Sequence, residues 1–393
     1  MTRPSWWANL AYKLQAFGLL LLFAATLVGC RQRKPPDPGY HEYAYVSNGK
    51  SDSVSVVDVL SLRNIKTIAV GRNPTGLAAN SKKNEIYVAN AESNNITIID
   101  AERNEVVSTI GVHRSPYFVS VSSDGKRAYV ANSGSSNVSV IDLDERKVIA
   151  TIRVGNAPGM AIVSADGTVA VASNSSDDTV SIIDTAKLAV RATVPVCHQP
   201  QDIAILPDSS KAFVACPGSN QLASLDLKTD RMLTLLEVGK TPIQMAVKPD
   251  GGELFVSNFD SNNFSIIETY SNEVGGSYLI GSNPAHGIVT SDNSLLYVSN
   301  FGADTVSVYS IDEGRVIGSV HVGSRPDALA LTPNEEHLLV ADTGSGDVAV
   351  VRTVKTRANS KISADRALVN VIPVGNQPND MVIKAFEVKP GAP

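Results

Sequence analysis

Three features of the sequence predict an all-β fold, an eight-bladed β-propeller of four-stranded antiparallel blades whose ring is closed by the C-terminal strand. The phrase "YVANAESNNITIID" at 87–100 returns at 129–142 as "YVANSGSSNVSVID", and its first residue recurs at Tyr45, Tyr87, Tyr129, Val171, Phe213, Phe255, Tyr297 and Leu339, always 42 apart. A proline keeps the same step through Pro74, Pro116, Pro158, Pro200, Pro242, Pro284 and Pro326, and then reaches Pro378 after 52, so the last unit holds a ten-residue insertion. Each unit reads as four short runs rich in β-branched and aromatic residues, such as "AYVAN", "VSVID", "VIATIRVG" and "GMAIVS", separated by turn residues. Four strands in about 42 residues is the size of one propeller blade. A seven-bladed ring with a spare unit is the alternative.

The segments follow in order. Residues 1–29 carry Arg3 and Lys13 and end in a 13-residue apolar run, Phe17–Gly29, too short to span a bilayer as a helix and of the length of a secretory signal. "LVGC" at 27–30 resembles the bacterial lipobox. That resemblance implies a lipoprotein signal peptide over 1–29 and acylation of Cys30, with Arg31 favouring the outer membrane where there is one. Residues 30–42, rich in Pro and basic charge, read as a tether. Residues 43–386 form one propeller domain, and 387–393 a tail. Without the signal, 32 basic and 39 acidic residues remain, a net charge of −7, which argues against a nucleic-acid partner.

Within a unit the recurrent polar residues have structural readings. Asn48, Asn90, Asn132, Asn174, Asn258 and Asn300 end the second strand and satisfy loop groups, while Asp58, Asp100, Asp142, Asp184 and Asp226 open the next hairpin. Tyr45, Tyr87, Tyr129, Phe213, Phe255 and Tyr297 pack between blades. The insertion lies in a basic stretch with Arg352, Lys355, Arg357, Lys361 and Arg366 against Asp365, a hairpin open to an anionic partner or lipid head groups. The repeat phrase resembles the YVTN β-propeller family of archaeal surface-layer and bacterial envelope proteins, with departures at Val171, Cys216 and Asp342. In that family's blade the innermost strand follows the proline, so the strand near Asp380–Phe386 must pair with the one near Tyr45 to close the ring. Cys197 and Cys216 depart from the repeat in loops on one face of one blade, and an exported protein can join them as a disulfide.

The sequence holds no Cys-x-x-Cys-His, Gly-x-Ser-x-Gly, His-Glu-x-x-His or phosphate-binding loop, and its six histidines are scattered. A site must therefore be assembled across blades at the channel mouth. The residue two after each proline is Gly76, Phe118, Met160, Asp202, Gln244, His286, Ala328 and Asp380. Asp202, His286 and Asp380, in units four, six and eight, are the ligand-binding candidates, with Gln244, Tyr117, Asp327 and His198 on the same face. No cofactor is predicted; a divalent metal is compatible with Asp202, His286 and Asp380. The regular repeats and absent motifs weigh against an enzyme and towards a lipid-anchored, non-catalytic binding module, periplasmic or at the cell surface, for a protein or cell-envelope polymer. The alternative is an enzyme or cofactor-binding protein, similar to lactonase-type metal hydrolases or haem-binding propellers, working at the channel mouth.

Overall fold

The computed structural model describes residues 39–353 and 367–388. The apolar run, Cys30, nearly all of the tether, the end of the tail and the centre of the basic hairpin lie outside the described residues. His41–Val388 form one compact unit of eight four-stranded antiparallel sheets. Numbered by their inner strands, blades 1 to 7 span 74–111, 116–153, 158–195, 203–237, 242–279, 284–321 and 326–373. Blade 8 joins the last strand, Pro378–Glu387, to the first three, with Tyr40–Asn48 between the last strand and Ser53–Asp58. The ring is therefore eight-bladed and closed between its ends, as the proline count requires. A sequence unit is offset from a blade by one strand, so the insertion of the last unit falls between the third and outer strands of blade 7.

Burial follows the position of a strand within its blade. The second and third strands are almost wholly buried, whereas the outer strands alternate and expose Ile65, Val106 and Leu233. The aromatic that six of the second strands carry lies at a blade junction: Tyr45 packs with Ile68 of its own blade and Leu77 and Ile86 of blade 1. Its hydroxyl donates to Asn104 Oδ1 of that neighbour, so the ring is buried without an unpaired polar tip.

The asparagines bond more widely than a loop-satisfying role requires. In six blades the Asn amide nitrogen donates to the side chains five and seven residues on, as Asn132 does to Asn137 Oδ1 (2.8 Å) and Ser139 Oγ (2.9 Å). In blades 3 and 8 the amide oxygen also takes the N–H of the glycine entering the inner strand, Gly155 or Gly375, each at 3.1 Å. A Cβ at Gly155 would stand 2.7 Å from Asn174 Cβ, so the close approach needs glycine. In blade 4 the same two positions are Cys197 and Cys216, joined as a disulfide with Cα atoms 5.7 Å apart. In blade 7 they are Gly323 and Asp342, and Asp342 Oδ2 accepts the Gly323 N–H at 3.0 Å.

Candidate functional site at the channel mouth

Seven of the eight inner strands begin with their buried proline, and in six blades the pairing to the second strand slips just after that residue. A bulge of this kind re-aims side chains, and here the residues one and two beyond the proline are turned towards the channel and the next blade. Three of the candidates share one job. Asp202 Oδ2 accepts the Met245 N–H (2.8 Å), Gln244 Oε1 that of Gly287 (2.7 Å) and Asp380 Oδ2 that of Leu77 (2.7 Å). Each acceptor sits two residues beyond its proline and each donor three beyond the next, so these side chains stitch neighbouring inner strands.

His286 breaks the pattern. Its Nδ1 lies 2.8 Å from Asp327 Oδ1, the residue just after the proline of blade 7. With the carboxylate as acceptor, Nδ1 carries the hydrogen and Nε2 is left for a ligand. Both side chains keep an open face, 39% and 28% exposed. His286, Asp202, Gln244 and Tyr117 line one cavity of about 360 Å³ at the mouth. Its apolar wall includes Met160 and Ile243, and its remaining polar wall Ser133, Ser175 and Gln201.

The electrostatics tie five blades together. Burial alone would disfavour the His286 imidazolium, but Asp327, followed by Asp380 and Asp202, overcomes it and holds the pKa above the ordinary histidine value. Burial pushes Asp202 up to about 6, against the pull of the Met245 amide and of His286. Asp380 is raised mainly by burial, against the amides of Leu77 and Met381 and the charge of His286. Tyr117 is 52% exposed yet raised, by partial burial and then by Asp327, Asp380 and Asp202, which keeps its phenol protonated and donating. Tyr117, Asp202, His286 and Asp380 belong to blades 2, 4, 6 and 8, a four-fold arrangement about the axis.

Of the predicted residues, Tyr117, Asp202, Gln244 and His286 share the cavity, and Asp327 is bound to it through His286. Asp380 stands across the mouth, outside the cavity's lining but within electrostatic reach of His286 and Tyr117. His198 is apart, on the rim, with Nδ1 2.9 Å from Asp178 Oδ2. Among the described residues no group of three or more His, Cys, Asp or Glu is placed to hold a metal ion. Gln201 and Ile243 went unnoticed in the sequence. They occupy the same place after the proline as Tyr117 and Asp327, and that shared place was the available signal.

A family model described as YNCE-like beta-propeller matches residues 41–166 and 156–363, and the chain belongs to that family of propellers. This description, rather than YVTN-type, is the one the match carries. No curated protein matches the chain. Among solved structures it is similar to "Dihydro-heme d1 dehydrogenase NirN in complex with DHE", with a TM-score of 0.72 and 14% identity over 91% of this chain and 78% of that one. It is also similar to Kuenenia stuttgartiensis hydrazine synthase (TM-score 0.60, 20% identity, 72% of this chain and 96% of that one). A third is a functionally unknown protein from Desulfotomaculum acetoxidans DSM 771 (TM-score 0.60, 17% identity, 87% and 98%). At these identities the likeness concerns the fold. It nonetheless corrects the expectation of a non-enzyme, because two of these three structures of similar fold carry the names of enzymes. A regular, motif-free propeller is therefore no argument against catalysis.

Proposed function

We propose that the protein is an enzyme or cofactor-binding propeller whose site is the channel mouth, with His286 as the proton-transferring or ligating group. The observation that carries this reading is the Asp327–His286 pair on the wall of a cavity. A carboxylate on Nδ1 fixes the tautomer, orients the ring and stabilises the imidazolium formed when Nε2 takes a proton. Tyr117 supplies a neutral hydroxyl donor on the opposite side, and Asp202 and Asp380 supply negative charge. The residues lining the cavity include Asp202 and no Lys or Arg. That lining suits a neutral or cationic small molecule and is a poor match for the carboxylates of a tetrapyrrole, so no step is assigned to a haem.

The setting we propose is extracytoplasmic, on a lipid anchor at Cys30. Its support is the apolar run ending in "LVGC" and the disulfide of blade 4, which an oxidising compartment permits.

The test is to incubate the purified protein with a small-molecule extract of its own cells and follow depletion by mass spectrometry. Wild type should consume or retain at least one compound that folded His286→Gln and Asp327→Asn do not. Identical profiles for all three proteins would contradict the reading.

A further inference from the structure

Asp342 stands where six blades have asparagine, and the exchange removes something those blades use. Each of those asparagines donates two hydrogen bonds, to the residues five and seven further on. In blade 7 those positions are Asp347 and Ala349, so one acceptor is a second carboxylate and the other is gone. Blade 4 supports the comparison: where Cys216 has no amide to donate, the position seven further on is Ala223, again without a hydroxyl. Asp342 is fully buried and is the register partner of Asp347 across the hairpin. Asp342 Oδ1 and Asp347 Oδ1 are both buried and lack a donor in hydrogen-bond geometry. Two carboxylates can satisfy each other only with a hydrogen between them.

We propose that Asp342 is a positioning residue which, through a proton shared with Asp347, latches the loop that leads into Asp327 and so holds Asp327 against His286. This rests on the reading of the channel mouth as the site. The connection is short. The other oxygen of Asp342 holds the Gly323 N–H, and the turn after it is bonded to the same loop, Thr343 N to Arg325 O (3.0 Å) and Gly344 N to Ser324 O (2.8 Å). Asp342 also lies opposite Pro326, the residue before Asp327. Burial, and after it Asp347, pushes the Asp342 carboxyl up to about 8, against the amides of Gly323 and Ala349.

The other charged groups nearby are engaged elsewhere or open to solvent. The Arg325 guanidinium lies 5.8 Å from the Phe301 ring, Asp304 accepts the Arg325 N–H, Asp327 is turned to His286, and Lys50 of blade 8 is exposed on the pocket above. Loss of the shared proton leaves two adjacent anions, one fully buried and one half-buried, and the turn must open to hydrate them.

The experiment compares wild type, Asp342→Asn and Asp347→Asn, since an amide at either position replaces the shared hydrogen without a titration. Thermal unfolding is followed between pH 7 and pH 9, together with the NMR titration of the His286 ring, assigned by His286→Gln. Wild type should lose about 2 °C of Tm over that window, and the His286 resonance should inflect there, with both effects absent from the two variants. A Tm slope that survives in Asp342→Asn overturns the shared proton. A slope that disappears while the His286 inflection persists overturns the positioning role. Neither outcome bears on whether His286→Gln abolishes depletion of a small molecule, so failure of the proposed function is read separately.

Discussion

Blades 4 and 7 close the same joint with different chemistry. In both, the joint lies between the loop entering the inner strand and the end of the second strand, a contact that five other blades make with glycine and asparagine, blade 2 having His113 in place of the glycine. Blade 4 makes it covalent through Cys197 and Cys216. Blade 7 makes it with the carboxyl of Asp342 facing Asp347. The first depends on oxidation and the second on a proton, while the amide of the remaining blades depends on neither. The two altered blades are also those that deliver Asp202 and Asp327 to the channel mouth. In blade 4 the inner strand is cut to Ile203–Ile205, and the bonded loop leads directly into Gln201 and Asp202. A repeat of fixed geometry can thus be secured independently at the blades whose inner strands carry the candidate site.

Breaking the whole ring should have the largest effect. Deleting residues after Gly375 removes the inner strand of blade 8 and leaves the Tyr40–Asn48 strand with an open edge. The truncated protein should aggregate, and a soluble monomer of unchanged Tm would contradict the closure. Next comes blade 4. Cys197→Ser should cost about 3 kcal/mol in the chain-entropy model, measurable by denaturant unfolding. The triple change Cys197→Gly, Cys216→Asn and Ala223→Ser should recover most of that loss, because it rebuilds the amide joint. Failure to recover would mean that the joint of blade 4 is not equivalent to the others.

The carboxyl of blade 7 gives a smaller, signed effect. Its pKa in the folded protein is raised, so its contribution is complete below the ordinary carboxylate range and is lost as pH rises through about 8. Between pH 7 and pH 9 wild type should lose about 1 kcal/mol that Asp342→Asn keeps. Smallest is Asp202. Its stabilising contribution is lost as pH rises towards about 6, and Asp202→Asn should remove that dependence while still accepting the Met245 N–H. Asp202→Ala leaves that N–H without its partner and should cost about 1–2 kcal/mol.

Much of this was legible in the sequence, because a 42-residue step transfers one blade's strand order to all the others. The proline count places the closing strand, and the paired departures at Cys197 and Cys216 mark the disulfide. The site was legible as a ring of positions and not as a set of contacts. Asp202 and Asp380 appeared only as channel-facing acids, because their bonds to backbone amides of the next blade depend on a bulge that no spacing reveals. The Asp327–His286 pair joins unequal positions of two units, so aligning equivalent residues hides it. Asp342 stood out as a departure, but its partner five residues on, across a hairpin, shows its meaning only when set beside the asparagine bonds of the other blades.

On the proposed function, His286 and Asp327 serve chemistry at the mouth rather than the stability of the ring. The most direct measurement follows thermal stability and small-molecule depletion in parallel for wild type, His286→Gln and Asp327→Asn. Both variants should stay within about 3 °C of wild type, a difference of about 2 kcal/mol, while depletion is lost. Variants that melt well below wild type and still deplete the same compounds would contradict it.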